Sequence, residues 1–180
     1  KTRKILEDAT GQAVTGYRAP SFSIDQRTPW AHEILAEQGY AYSSSVAPIK
    51  HDHYGWAAAP RFAFRPVTGS NFVEIPVTTV ELGPKRLAAG GGGFFRILPY
   101  AFSKWAVRKV NVHDGRPAII YFHPWEIDPG QPRVANAPLK SKLRHYTRLN
   151  DMADKLRRLT GDFQWERLDT IAVLEQARLS

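Results

Sequence analysis

The chain has 180 residues, of which 43% are hydrophobic and 12% aromatic, with no cysteine and a formal net charge of +8. This composition is typical of a folded domain with a hydrophobic core, and it excludes disulfide bonds and thiolate metal sites. No apolar run approaches the length needed to cross a bilayer. The positive charge would attract polyanions such as nucleic acid, anionic lipid or acidic polysaccharide.

The chain opens with a predicted helix and a predicted strand. Residues 1–10 indicate the last turns of a helix that ends at Gly11, and we interpret the sequence as the C-terminal part of a longer protein. Residues 13–18 predict a strand. Pro20 restricts the residue before it to extended geometry, so Arg18 is expected at the start of a rigid loop. A solvated surface charge is the alternative for this arginine.

A helix and a second strand complete a strand–helix–strand unit. Thr28 is the predicted N-cap, Pro29 the first helical position and Gly39 the end of the helix. Residues 40–46 predict the next strand, and this order implies a parallel sheet. The helix is expected to bury one apolar face, formed by Trp30, Ala31, Ile34 and Leu35.

The middle of the chain contains an aromatic loop, an edge strand and a glycine run. In the loop of residues 48–66, His51 and His53 would need a third ligand to hold a metal, so we favour a solvated or substrate-facing loop. Residues 72–82 alternate like a strand, and Pro76 predicts that it lies at an edge. Residues 90–93 are four glycines, predicted either to bring backbone close to a ligand or to act as a hinge.

The remaining segments predict two helices around a central strand, and then a last strand and helix. Residues 99–111 predict a helix with a buried stripe of Ala101, Phe102, Trp105 and Ala106. Residues 142–159 predict a second helix, and the seven Lys or Arg between residues 139 and 159 are expected on its solvated side. A proline-rich loop over residues 129–138 precedes that helix. Residues 163–168 predict the last strand and 170–177 a last short helix.

The stretch Pro117–Asp128, PAIIYFHPWEID, places a histidine at the end of a predicted buried strand. Residues 118–122 are a continuous apolar run, which is typical of a parallel strand that is covered on both faces. His123 follows directly, where the carboxyl ends of parallel strands bind ligands. Histidine is the residue type whose protonation is most easily tuned near neutral pH, so a catalytic role and a purely structural one are both open on position alone.

Three stretches together, GYRAPSF, GGGGFFRILPY and YFHPWEID, resemble the polysaccharide deacetylases of the NodB-homology type, closest to the branch associated with exosortase-linked exopolysaccharide clusters. The resemblance implies an α/β fold, the C-terminal portion of a distorted (β/α)7-type barrel, with residues 1–180 forming the C-terminal part of the catalytic domain. It also implies metal-dependent N-deacetylation of an N-acetylated polysaccharide.

The resemblance assigns roles to individual residues. Arg18 would orient the carboxylate that acts as general base, and His123 would be the general acid. Tyr121 would line the acetyl pocket. Trp125, beside the acid, offers an apolar wall for a sugar face or an acetyl methyl group. The further residues expected to bind substrate are Pro20 and Phe22.

Other parts of the family pattern are missing from this chain. The motifs that supply the catalytic Asp and the metal ligands are expected upstream of Lys1, so the divalent metal, expected to be zinc, would have no ligands here. At the fourth motif Ser43 stands where relatives in this branch tend to have Asp. We therefore expect the 180 residues alone neither to deacetylate nor to hold a metal tightly.

Two other classes of function are open. The first is a carbohydrate-binding module without catalysis, which the missing motifs favour. The second is a nucleic-acid-binding domain, which the net charge of +8 supports but no recognition motif does. We favour the deacetylase reading, with no nucleic-acid partner and no transmembrane segment.

Overall fold

The protein alternates helices with short strands, and a computed structural model describes residues 1–51 and 54–180. Contacts between these residues divide them into a first unit, residues 1–76 with 166–180, and a second unit, residues 77–165. The fold is mixed α/β, as predicted, and the strands of the described residues do not close into a barrel. The elements in chain order are α1 (Thr2–Thr10), β1 (Gly16–Tyr17), α2 (Trp30–Glu37), β2 (Tyr42–Ser43), β3 (Val73–Glu74), β4 (Thr79–Leu82), β5 (Lys85–Ala88), α3 (Gly92–Ile97), α4 (Tyr100–Arg108), α5 (Leu139–Tyr146), α6 (Met152–Asp162) and α7 (Leu168–Arg178).

The first unit contains a parallel three-stranded sheet in the order β1-β2-β3. Gly16 pairs with Tyr42, and Tyr42 pairs with Val73. The predicted strand–helix–strand unit is therefore confirmed, although β1 and β2 are only two residues each. β3 is the outermost strand in this order, as predicted from Pro76, and its Glu74 forms an isolated antiparallel bridge with Phe64.

The buried face of α2 differs from the predicted one. Leu35 is buried as expected, but Trp30 and Ile34 are 56% and 47% exposed. The residue that turns inward instead is His32, at 1% exposure, because its ring contacts the Glu74 carboxylate of β3. Apolar periodicity alone could not detect this, since the contact that orients the helix is polar.

The predicted strand of residues 72–82 is two strands that fall in different units. β3 ends before Pro76, and β4 then pairs with β5 in an antiparallel hairpin. The predicted alternation is also wrong, because residues 72–80 are all buried. Neighbouring segments cover both faces of this stretch, so both sets of side chains are removed from water.

The helices of the second unit are more broken than predicted. The predicted helix of residues 142–159 is α5 and α6, separated at Arg148, whose φ is 56°. A residue with a left-handed backbone conformation cannot continue a right-handed helix, so the helix ends there. α4 continues into a π turn over Lys109–His113. Of its predicted buried stripe only Ala106 is buried. The buried face consists of Tyr100, Ser103, Ala106 and Val107, with Val110 on the π turn.

Lys155 contradicts the expectation that the basic residues of α6 are all solvated. Its side chain is buried, and Nζ donates to the carbonyls of Phe95, Arg96 and Leu98, at 3.2, 2.8 and 2.7 Å. These carbonyls lie at the C-terminal end of α3, where a cation is favoured by the helix dipole. Burial is the main cause that lowers the pKa of Lys155.

The end of the chain contains a helix but not the predicted strand. Residues 163–167 form no ladder with any described segment, and α7 begins at Leu168. The Trp165 indole N–H donates instead to the Leu159 carbonyl, at 3.3 Å. Among all the helices of the described ranges, none combines the length and the apolar character that a membrane span requires.

A buried carboxylate organises the first unit. One oxygen of Glu74, Oε1, accepts the N–H groups of Ser45 and Val46, at 2.7 and 2.8 Å. The other, Oε2, lies 3.1 Å from His32 Nε2. Glu74 has no exposed surface, so its desolvation is compensated by these three contacts. They fasten the loop after β2 and the helix α2 to the edge strand β3.

We predict that Glu74→Ala lowers the free energy of unfolding by about 3–5 kcal/mol, since it leaves a buried imidazole and two buried N–H groups without their acceptor. Glu74→Gln should cost less, because its amide oxygen still accepts the backbone bonds. Urea titration measures both. The matched control is Glu37→Ala on the exposed side of α2, expected to change stability by less than about 0.5 kcal/mol. Equal costs for Glu74→Ala and the control would contradict the role of this carboxylate.

Candidate functional site

The segment before His123 is extended, but it is not the regular buried strand that was predicted. Ile119 is buried, whereas Phe122 is 45% exposed. Thr78 N–H donates to the Ile119 carbonyl at 3.1 Å, and Tyr121 N–H donates to the Gly90 carbonyl at 2.8 Å. Only the bridge between Gly91 and Tyr121 has parallel strand geometry. The segment therefore delivers His123 at its carboxyl end, as expected, through isolated backbone bonds.

The imidazole of His123 is accessible and is framed by two aromatic rings. Its side chain is 56% exposed. The Tyr121 ring stands edge-on to it, with centroids 5.9 Å apart, and the Trp125 ring lies nearly parallel to it at 5.5 Å. An accessible imidazole can exchange a proton with a ligand, and the two rings restrict how it rotates.

Glu126 is a functional candidate that the sequence reasoning missed. It belongs to a short 3-10 turn, Pro124–Ile127, and is 2% exposed. Its Oε2 accepts the His123 backbone N–H at 2.9 Å and lies 3.6 Å from His123 Nδ1. The signal in the sequence was the spacing, because a Glu three residues after an N-cap is the capping-box pattern.

Arg96 is the cation beside this carboxylate. It is fully buried, with Nη1 3.7 Å from Glu126 Oε1, and Nη2 donates to the Arg144 carbonyl at 2.6 Å. The guanidinium also lies over the Trp125 ring, 5.3 Å from its centroid. Burial lowers the pKa of Arg96, and the Glu126 carboxylate opposes that shift. Nε and Nη1 make no hydrogen bond to any described residue.

The glycine run is close to the protein's own backbone and side chains, which explains its composition. A Cβ on Gly92 would lie 2.0 Å from Glu126 Oε2, and one on Gly90 would lie 2.5 Å from the Ile119 carbonyl oxygen. Any side chain at Gly92 would therefore displace the carboxylate. The predicted approach to a ligand is not tested by these contacts, whose partners are Glu126 and Ile119 of the same chain.

Trp125 is held by α5 and by the proline-rich loop. The His145 ring stacks on the indole with centroids 4.0 Å apart, and His145 Nε2 contacts Gln131 Oε1 at 2.7 Å. The Gln131 amide donates in turn to the Trp125 carbonyl at 2.7 Å. The stacked imidazole occupies part of the indole surface that we expected a sugar to use, so the remaining surface is what a ligand could contact.

In the first unit, Arg18 makes a two-point contact with Ser44. Its Nε donates to the Ser44 carbonyl at 2.8 Å and its Nη2 to the Ser44 hydroxyl at 2.7 Å. The loop that follows is strained, because Ser21 and Phe22 have φ of 55° and 50° without being glycine. Such strain concentrates at functional sites.

The two substrate-binding candidates of this loop differ in accessibility. Pro20 is exposed, whereas Phe22 is 7% exposed and its ring lies against Tyr54, with centroids 5.8 Å apart. The Arg18 guanidinium lies 5.6 Å from the centre of the same ring. Pro20 therefore has surface that a ligand could contact. Phe22 is buried and packs against Tyr54. Arg18, Pro20 and Phe22 belong to the first unit, whereas Tyr121, His123 and Trp125 belong to the second.

Ser43, at the position of the fourth motif, is part of a buried hydroxyl chain. Its hydroxyl donates to that of Ser45 at 2.7 Å, and the Ser45 hydroxyl accepts the Ala19 N–H at 2.8 Å. Ser45 N–H donates to Glu74. The carboxylate nearest to this motif therefore comes from β3, which sequence reasoning did not consider.

The described residues contain no group of three or more His, Asp or Glu that could hold a metal ion. His51 stacks on Tyr54, with ring centroids 4.1 Å apart. Its predicted companion, His53, lies outside the described residues. Within the part of the chain that the structure describes, the donors therefore do not form the ligand set needed by the divalent metal that the sequence resemblance implies.

Comparisons with known proteins identify a family without an assigned activity. Searches of curated proteins and of solved structures find no match. A family model described as a domain of unknown function, DUF3473, matches residues 44–173. This range includes Ser44 and Ser45, the glycine run and the His123 loop. The chain belongs to the DUF3473 family.

Proposed function

We propose that the protein takes part in the metal-dependent N-deacetylation of an N-acetylated polysaccharide, with His123 as general acid and the chain forming the C-terminal portion of a distorted barrel. The observation that carries the proposal is the accessible His123 imidazole, held beside the buried Glu126 carboxylate at the end of an extended segment. The resemblance of YFHPWEID and GYRAPSF to the NodB-type deacetylases supplies the reaction class.

The reaction accounts for an imidazole at this position. Hydrolysis of an acetamide passes through a tetrahedral intermediate, and the departing amine must take up a proton as the C–N bond breaks. An imidazolium can supply that proton near neutral pH. The Tyr121 edge and the indole of Trp125 beside it provide apolar surface against which an acetyl group could rest.

The proposal assigns Arg18 a positioning role. Its two bonds to Ser44 fix the guanidinium plane at the end of β1. A fixed guanidinium can hold a carboxylate through two parallel bonds, which suits the support of a general base. The described residues form no ligand set for the metal, so the proposal assigns roles only to groups of this chain.

We predict that His123→Ala, in the product of the complete reading frame, lowers acetate release from an N-acetylated oligosaccharide by about 10²–10⁴-fold, the usual range for a lost acid. The matched control is His113→Ala, another exposed imidazole of the second unit, which should keep the wild-type rate. Circular dichroism establishes that both variants are folded.

A His123→Ala variant with wild-type turnover would exclude the general-acid role. A wild-type protein that binds the polysaccharide on a glycan array but releases no acetate would favour the non-catalytic carbohydrate-binding module instead.

We predict that Arg18→Lys does not rescue activity, because a lysine ammonium cannot make both bonds to Ser44 in one plane. Misplacing a positioning group in this way costs on the order of tenfold to a hundredfold in kcat/KM. Arg178→Lys, at an exposed position of the same unit, is the control. Full activity of Arg18→Lys would identify Arg18 as a surface charge.

A further inference from the structure

We propose that Glu126 is the positioning residue of His123, and that its charge determines which imidazole nitrogen carries the proton. This inference rests on the proposed function for its catalytic meaning. Its physical content, the protonation pattern of one imidazole, is a property of the protein without substrate.

Within the turn, the Glu126 carboxylate contacts both the backbone and the ring of His123. Its Oε2 accepts the His123 backbone N–H at 2.9 Å, which fixes the start of the turn. The same oxygen lies 3.6 Å from Nδ1, which is within ion-pair distance and longer than a hydrogen bond. The Glu126 N–H donates to the His123 carbonyl at 3.0 Å, which closes the turn that holds the carboxylate beside the ring.

Two neighbours keep the carboxylate in this place, and a third limits the rotation of the imidazole. Arg96 Nη1 lies 3.7 Å from Oε1, on the side away from the oxygen that faces His123. Gly92 leaves the volume that Oε2 occupies, since a Cβ there would be 2.0 Å away. The Trp125 ring lies parallel to the imidazole within 19° and limits its rotation. The glycine run and the HPWE stretch thus act together on one carboxylate.

The consequence is that the two imidazole nitrogens of His123 have different roles. A buried anion beside Nδ1 favours the tautomer that carries its proton there. Nε2 is then the nitrogen that takes up and releases protons toward the exposed side, where a leaving amine would be. A general acid needs this arrangement, because the nitrogen that donates must be the one that faces the substrate.

Glu126→Gln separates this role from simple capping. The amide oxygen of Gln can still accept the His123 N–H, and the side-chain volume is nearly unchanged. What is lost is the negative charge beside Nδ1. A merely structural role would leave the tautomer unchanged in this variant.

The experiment is long-range ¹H–¹⁵N NMR on protein labelled with ¹⁵N-histidine, with the His123 signals assigned through His123→Gln. In the wild-type protein, above the pH at which the ring loses its second proton, we expect the proton on Nδ1. In Glu126→Gln we expect it to move to Nε2, and kcat to fall by about 10–100-fold with KM unchanged, as for other carboxylates that orient a functional histidine. Glu81→Gln, an exposed carboxylate of the same unit, should change neither quantity.

A wild-type His123 with its proton on Nε2 overturns the inference and needs no variant, so the test remains decisive if Glu126→Gln fails to fold. An unchanged tautomer in a folded Glu126→Gln overturns it as well. A tautomer that shifts as expected, in a protein whose His123→Ala variant keeps full activity, supports the positioning by Glu126 and rejects the proposed general acid.

Discussion

The Glu126 carboxylate is the constraint on which the second unit's candidate site depends. A carboxylate with almost no exposed surface must replace the water it has lost, and here it does so with a backbone N–H and a guanidinium. The N–H belongs to the same turn as Glu126, whereas the guanidinium comes from Arg96 of α3. The His123 loop and the C-terminal end of α3 are therefore connected through one side chain.

The same physical solution recurs in the first unit. Glu74 is buried at the edge of the parallel sheet and accepts two backbone N–H groups from the loop after β2, with His32 as its third partner. In both units a buried acid holds a loop that follows an extended segment. Because backbone donors of a loop have no ladder of their own, a fixed anion is an effective acceptor for them.

These contacts explain why several predicted faces were wrong while the order of elements was right. The strand–helix–strand unit could be predicted from its caps and apolar runs, because those signals are local. The face of α2 could not, since His32 turns inward to meet Glu74 from a strand 42 residues away. The glycine run was predicted as a hinge or as a place where backbone approaches a ligand, and the structure brings Gly92 against a side chain of the same chain. That its partner is Glu126 depended on how the chain returns after α4.

The sequence alone therefore determined the α/β class, the first helix with its glycine end, the parallel unit and the position of His123 at the end of an extended segment. It also singled out Arg18 as the first residue of a rigid loop. Only the tertiary structure decided that Glu126, Arg96 and His145 surround the His123 loop, and that α5 and α6 are separate helices. The physical reason is that caps and periodicity are properties of neighbouring residues, whereas the partner of a buried charge is chosen by the whole fold.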